Sequence, residues 1–205
     1  MNASTIHHPP STIVVVGASQ GGLSALTTLL AGLRPDFPLP VVIVQHRGKD
    51  SEETFCDFLR TRAGRAIQEA RDKEPILPCA IYLAPPDYHL LIETDHFALS
   101  LDAPVNYARP SIDVLFESAA EARGPGVCAV VLTGTSADGA AGAARVKARG
   151  GRVLVQDPAT AERRKMPEAV LAATRVDLVL PLADIGPALN QLAGENANAG
   201  APADL

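Results

Sequence analysis

Short runs of consecutive apolar residues recur along this chain, and most are followed by segments whose apolar positions repeat every three or four residues. Residues 13–16 (IVVV) open the pattern. Such a run has no polar face, which predicts a strand buried on both sides. Leu23, Leu26, Leu29, Leu30 and Leu33 then fall on one face of a helix. Residues 41–45 (VVIVQ) predict a second buried strand, ending at His46. A helix is expected from near Ser51, with Glu52 and Glu53 suiting its first turn and Phe55, Phe58 and Leu59 facing inward. Residues 80–83 (AIYL) predict a short strand stopped by Pro85-Pro86, and segments 88–93 and 96–101 around Thr94-Asp95 predict a β-hairpin. Arg109-Pro110-Ser111 opens a helix with Ile112, Leu115, Phe116 and Ala119 at helical spacing. Residues 127–132 (VCAVVL) form a third apolar run, followed by TGTSADG and an Ala-rich helix closed by Gly150-Gly151. A strand at 152–156, a helix from Pro167, a strand at 176–180 and a helix from Asp184 complete the pattern.

Apolar strands alternating with amphipathic helices predict an α/β fold: a three-layer, doubly wound, mostly parallel sheet with helices on both faces. The hairpin at 88–101 would add an antiparallel edge. Ligands on such folds bind beyond the carboxyl ends of the strands. The expected organisation is a loose lead over 1–11, one folded domain over 12–193, and a small polar tail over 194–205 that is expected to be disordered.

Composition narrows the function classes. The 205 residues suit one well-cored domain, and 47% apolar with 20% charged residues is ordinary for a soluble globular protein. A net charge of -5 offers no basic surface for nucleic acid or anionic lipid. No apolar run approaches the roughly 20 residues that span a bilayer, and the first twelve residues lack the basic flank and apolar stretch of a signal peptide. A cytoplasmic location without membrane insertion is expected. Cys56, Cys79 and Cys128 are scattered and read as reduced core thiols. No histidine spacing suits a metal, so neither metal nor cofactor is expected.

The candidate chemistry lies at strand ends. Ser19 follows the first strand, His46 the second, and Asp138 the strand at 127–132. A hydroxyl becomes a good nucleophile when a base takes its proton, and the base works best when a carboxylate fixes its tautomer. Ser19 lies in Gly17-x-Ser19-x-Gly21, the pattern of a nucleophile elbow. The backbone N–H of Gln20 would point toward a developing oxyanion, and a second donor could come from the Gly134-Thr135 turn. Taken singly these residues have plainer readings: a phosphate-cradling glycine turn, a strand-end histidine, and a helix-capping aspartate. GASQGG also looks like the cofactor turn of short-chain dehydrogenases. That reading fails twice. Gln45-His46 stand where an acid should hold the ribose, and Tyr82, Tyr88 and Tyr107 have no lysine four residues on. A standard α/β-hydrolase would place several strands before its serine and order the triad differently.

GASQGG with Ser19, VIVQH with His46, YLAPPDYHLL at 82–91, RPSIDVLF at 109–116, VLTGTSADGAAG at 131–142, QDPAT at 156–160 and Met166-Pro167 together resemble the chemotaxis protein-glutamate methylesterase family, in that family's order. The resemblance covers about residues 12–192. It implies Ser19 as nucleophile, His46 as general base, Asp138 as its orienting carboxylate, and oxyanion donors at the N–H groups of Gln20 and Thr135. It further implies hydrolysis of γ-glutamyl methyl esters on methylated chemoreceptor cytoplasmic domains, with deamidation of receptor glutamines by the same triad. The sequence departs from the family pattern at Gln20, at Arg47-Gly48 after the base, and in the charged stretch Glu162-Arg163-Arg164-Lys165. These changes bear on the choice of protein substrate. Typical members carry a phosphoryl-accepting receiver domain, for which this chain has no room. The expectation is therefore a standalone enzyme whose activity does not depend on phosphoryl transfer. A related serine esterase or amidase, and a non-catalytic receptor-binding module, are the alternatives. Should Asp138 not orient His46, Asp87 and Asp113 are the next carboxylates to consider.

Overall fold

The computed structural model describes residues 12–47 and 54–199, with side chains described for 55–194 of the second stretch. The strands are β1 (Ile13–Ala18), β2 (Val41–Gln45), β3 (Gln68–Glu69), β4 (Ile81–Leu83), β5 (His89–Ile92), β6 (Phe97–Ser100), β7 (Val127–Val131), β8 (Arg152–Gln156) and β9 (Leu178–Leu180). The helices are α1 (Gly22–Gly32), α2 (Thr54–Ala63), α3 (Ile112–Arg123), α4 (Ala140–Ala148), α5 (Lys165–Ala173) and α6 (Leu182–Ala199).

Seven strands form one parallel sheet in the order β3-β4-β2-β1-β7-β8-β9. Every residue of β1, β2 and β7 is buried, as apolar strands covered on both faces must be. One core layer packs α1, α2 and α6 through Leu26, Leu29, Leu30, Leu59 and Ile185 against Val14, Val16, Val41 and Ile43. The other packs α3, α4 and α5 through Leu115, Phe116, Val146, Met166 and Val170 against Ile13, Val15, Val42 and Ala129. The chain moves from β1 to one side of the sheet and returns to lay β7 on the other. The crevice beyond the carboxyl ends of β1, β2 and β7 is thus a topological switch point.

Most sequence expectations meet their elements within a residue or two, and four differ. The hairpin β5–β6 pairs antiparallel, but as a separate two-stranded sheet against α3 rather than as an edge of the main sheet. Phe58 is 43% exposed, its ring beneath the Arg62 guanidinium at 4.7 Å, while Leu59 is fully buried. Cys56 and Cys128 are core thiols, with Cys128 pushed up to about 12 by burial, whereas Cys79 is exposed at a left-handed turn. Helix α6 continues past Gly194 to Ala199. The lead at 1–11, the helix start near Ser51 and residues 200–205 lie outside the described residues.

Candidate active site

Ser19 follows β1 at a sharp turn into α1. Its N–H donates to the Thr133 carbonyl at 3.0 Å, and its carbonyl accepts from Gly22 N–H and Gln45 Nε2, each at 2.8 Å. Gly21 caps α1 with a φ of +82°, a left-handed conformation that side chains resist. Ser19 is half-buried, and its hydroxyl makes no hydrogen bond among the described residues.

The β1–β2 register, Ala18 opposite Gln45, carries the next pair of residues side by side, and His46 N–H donates to Ala18 O at 3.0 Å. Parallel neighbours sit about 4.8 Å apart, so Ser19 and His46 share one rim of the crevice. His46 Nε2 lies 2.7 Å from Asp138 Oδ2, with the carboxylate wholly buried. That carboxylate also accepts Ile112 N–H at 2.7 Å, Ser111 Oγ at 2.8 Å, and Asp113 N–H and Asn106 Nδ2 at 3.1 Å. Burial alone would raise the Asp138 pKa. The donors led by His46 and Ile112 outweigh it and hold the group at about 2. An ionised acceptor on Nε2 requires the proton on that nitrogen, which leaves the lone pair of neutral His46 on Nδ1.

On the opposite side the end of β7 turns beneath Ser19. Gly134 N–H donates to Arg163 O at 3.0 Å, and Gly134 O accepts Met166 N–H at 3.1 Å. A Cβ at position 134 would stand 2.9 Å from Ser19 Cβ and 2.7 Å from Met166 Sδ, so only glycine lets this strand end come so close. The N–H groups of Gln20 and Thr135 have no acceptor among the described residues. Ser19, His46, Asp138, Gln20 and Thr135 therefore all gather at the ends of β1, β2 and β7. The crevice beside them, about 470 Å³, is lined by His46, Arg47, Asp87, Asn106, Tyr107 and Ser136 among others. A larger cleft near β3, about 720 Å³, is lined by charged side chains such as Asp57, Arg60 and Glu69 and holds none of the five.

The CheB methylesterase family model matches residues 14–189. The chain belongs to that family. A Leptospira interrogans relative (strain Fiocruz L1-130) is 46% identical over 173 residues, 84% of this chain and 90% of its own length. A protein-glutamate methylesterase/protein-glutamine glutaminase of Nocardioides sp. (strain JS614) is 41% identical over 191 residues, 88% of this chain but 52% of its own length. The crystal structure of the Thermotoga maritima CheB methylesterase catalytic domain superposes with a TM-score of 0.85 at 34% identity, covering 89% of this chain and 98% of that one. The chain thus spans nearly all of the Leptospira relative and about half of the Nocardioides one.

Several residues that shape this candidate site of the CheB methylesterase family member carry no signal in the sequence. Gln45 ties the Ser19 turn to His46, donating from Nε2 to both Ser19 O and His46 O, at 2.8 and 2.9 Å. Thr133 donates from Oγ1 to Gln20 O and accepts Arg163 N–H, while its own N–H is taken by Gln156 Oε1. Ser111 and Asn106 hold Asp138 from segments remote in sequence. The Gln20 amide oxygen, turned toward Arg163, accepts Nη2 and Nε at 2.9 and 3.1 Å. Two departures from the family pattern thereby meet beside Ser19. The alternative carboxylates are engaged elsewhere: Asp87 pairs with Arg109 at 2.8 Å, and Asp113 accepts Gly139 and Gly142 N–H at the start of α4.

Proposed function

We propose that the protein is a serine hydrolase that removes methyl esters from glutamate side chains of chemoreceptor-like proteins. The observation that supports this reading is the junction of three strand ends: His46 is held by the buried Asp138 carboxylate, and neither the Ser19 hydroxyl nor the N–H groups of Gln20 and Thr135 have a hydrogen-bond partner among the described residues.

Ser19 Oγ attacks the γ-carbonyl carbon while His46 Nδ1 takes its proton. Asp138 keeps the opposite proton on Nε2 and stabilises the imidazolium that forms. The oxyanion receives the N–H groups of Gln20 and Thr135, each such donor worth roughly 2.7–4 kcal/mol in the transition state. The C–O bond then breaks, methanol leaves with the proton from His46, and a glutamyl ester of Ser19 remains. Water, deprotonated by His46, attacks that ester and releases glutamate and free Ser19. With a glutamine side chain the same steps release ammonia, which is deamidation. Tyr107, wholly exposed at the crevice mouth, and the Gln20–Arg163 pair stand where a protein substrate would lie.

The test is methanol release from a glutamyl γ-methyl ester within a helical receptor segment, run in ¹⁸O water. One ¹⁸O in the glutamate product supports the reading. Intact ester after prolonged incubation with folded protein would overturn it.

A further inference from the structure

The loop between β6 and α3 ends in a tight hairpin. Val105 and Ala108 exchange both backbone hydrogen bonds, at 3.1 and 2.9 Å, around Asn106 and Tyr107. Both central residues have positive φ, +51° and +61°, the signature of a two-residue hairpin turn of the primed kind. Tyr107 points wholly into solvent. Asn106 does the reverse. Its Nδ2 donates to Asp113 Oδ2 at 2.7 Å and to Asp138 Oδ1 at 3.1 Å, so the two hydrogens of one amide join two buried carboxylates.

Those carboxylates form a reciprocal pair. Asp138, from the loop before α4, caps the start of α3 through Ile112 and Asp113 N–H. Asp113, in the first turn of α3, caps the start of α4 through Gly139 and Gly142 N–H, at 2.9 and 2.7 Å. Each helix N-terminus supplies positive potential to the acid of the other. Two like charges so placed repel, and apart from backbone and Ser111 the neutral donor between them is Asn106. The other charged or titratable groups around the cluster are already committed. His46 faces Asp138 from β2. His89 of β5 accepts Ser111 N–H on Nδ1 at 3.2 Å and donates from Nε2 to Ala103 O at 3.1 Å. Arg109 pairs with Asp87, and Arg47 with Glu69.

Resting on the hydrolase reading above, we propose that Asn106 is a positioning residue of the reaction: its amide clamps Asp138 against His46 and moderates how strongly the carboxylate draws on the imidazole. Removing that donor leaves Asp138 with more negative charge to share with His46. The imidazolium is then favoured, and the base is occupied by a proton at pH values where it was free.

Two variants separate this from simple support of the loop. Asn106→Gly tolerates the left-handed turn and removes the amide, whereas Asn106→Asp keeps the shape and replaces the donor with an acceptor. Thermal melts establish that each is folded. For Asn106→Gly, kcat on the glutamyl methyl ester should fall about 10-fold, near the low end for a hydrogen bond to a charged group. KM should change little, and the acidic limb of the kcat profile should move to higher pH. Asn106→Asp should lose more activity at pH 8 than at pH 5.5, because its carboxyl donates again once protonated. The same upward shift should be seen without turnover, in the NMR titration of the His46 ring. Changes confined to KM, with the acidic limb and the ring titration unmoved, would overturn the role of Asn106. Absence of ester hydrolysis in the wild-type protein would overturn the hydrolase reading, and the ring titration would still decide whether Asn106 acts on His46.

Discussion

His46 Nε2 and Ile112 N–H meet the same oxygen of Asp138, each at 2.7 Å. One carboxylate thus holds the His46 ring and closes the first turn of α3. The plainer reading of that residue in the sequence, a helix cap, is met in the fold, though the helix it caps is α3, not the α4 that follows it.

That double duty makes Asp138→Asn informative. An amide NH₂ presented to His46 would force the imidazole proton onto Nδ1, leaving no lone pair for Ser19. It would also set a donor against Ile112 N–H. Turnover should fall by about 10⁴-fold, as for loss of the correct tautomer elsewhere. Stability should fall by about 1 kcal/mol, the usual size of a lost cap. Initial rates and urea midpoints measure the two effects. A near-normal rate would mean that another group orients His46.

Gly134→Ala probes the oxyanion side. The added methyl would press on Ser19 Cβ and Met166 Sδ, so the turn must shift and take Thr135 N–H with it. A loss of about 10²–10³ in kcat with little change in KM is expected, matching removal of one oxyanion donor. A rate within twofold of wild type would show that this turn does not hold the oxyanion.

Burial first, and then the charge of Asp138, push the Asp113 carboxyl up to about 6 against donors from Gly142, Asn106 and Gly139. A carboxyl raised in the folded state favours folding most when protonated. Its contribution is greatest below the unfolded value of about 3.9 and declines as pH rises through 6. Asp138 acts oppositely: its contribution is present above about 4 and is lost as pH falls toward 2. From pH 7 to pH 5, the urea midpoint of the wild-type protein should therefore rise relative to that of Asp113→Asn. A difference that stays constant across this window would mean that Asp113 titrates like an exposed acid.

The legible part of this protein is what local patterns control. Apolar runs marked β1, β2 and β7 because strands buried on both faces admit no alternation, and the polar residues after two of them, Ser19 and His46, mark the candidate site. The rest depends on contacts between distant segments. Nothing near Asn106 in sequence shows that its amide reaches Asp113 and Asp138, since the turn that aims it inward exists only against α3 and α4. Gln45 reads as a strand end, and only the β1–β2 register shows it bridging two carbonyls. The hairpin β5–β6 is recognisable from the two segments around Thr94-Asp95, but its partner is not. Leu90 and Ile92 find their apolar neighbours on the α3 side of the core, which holds the hairpin off the sheet edge. Phe58 fails for another reason: helical spacing puts it near the buried stripe, yet a cation over the ring makes the surface acceptable.

The central claim is that Ser19 Oγ is the nucleophile, and the most direct measurement is methanol release by Ser19→Ala against wild type on a glutamyl γ-methyl ester. The Ser19 hydroxyl makes no hydrogen bond among the described residues, so its loss should leave the thermal midpoint within about 1 °C. The account predicts a kcat lower by about 10⁴-fold or more in a protein that still melts cooperatively. Turnover comparable to wild type in that folded variant would contradict it.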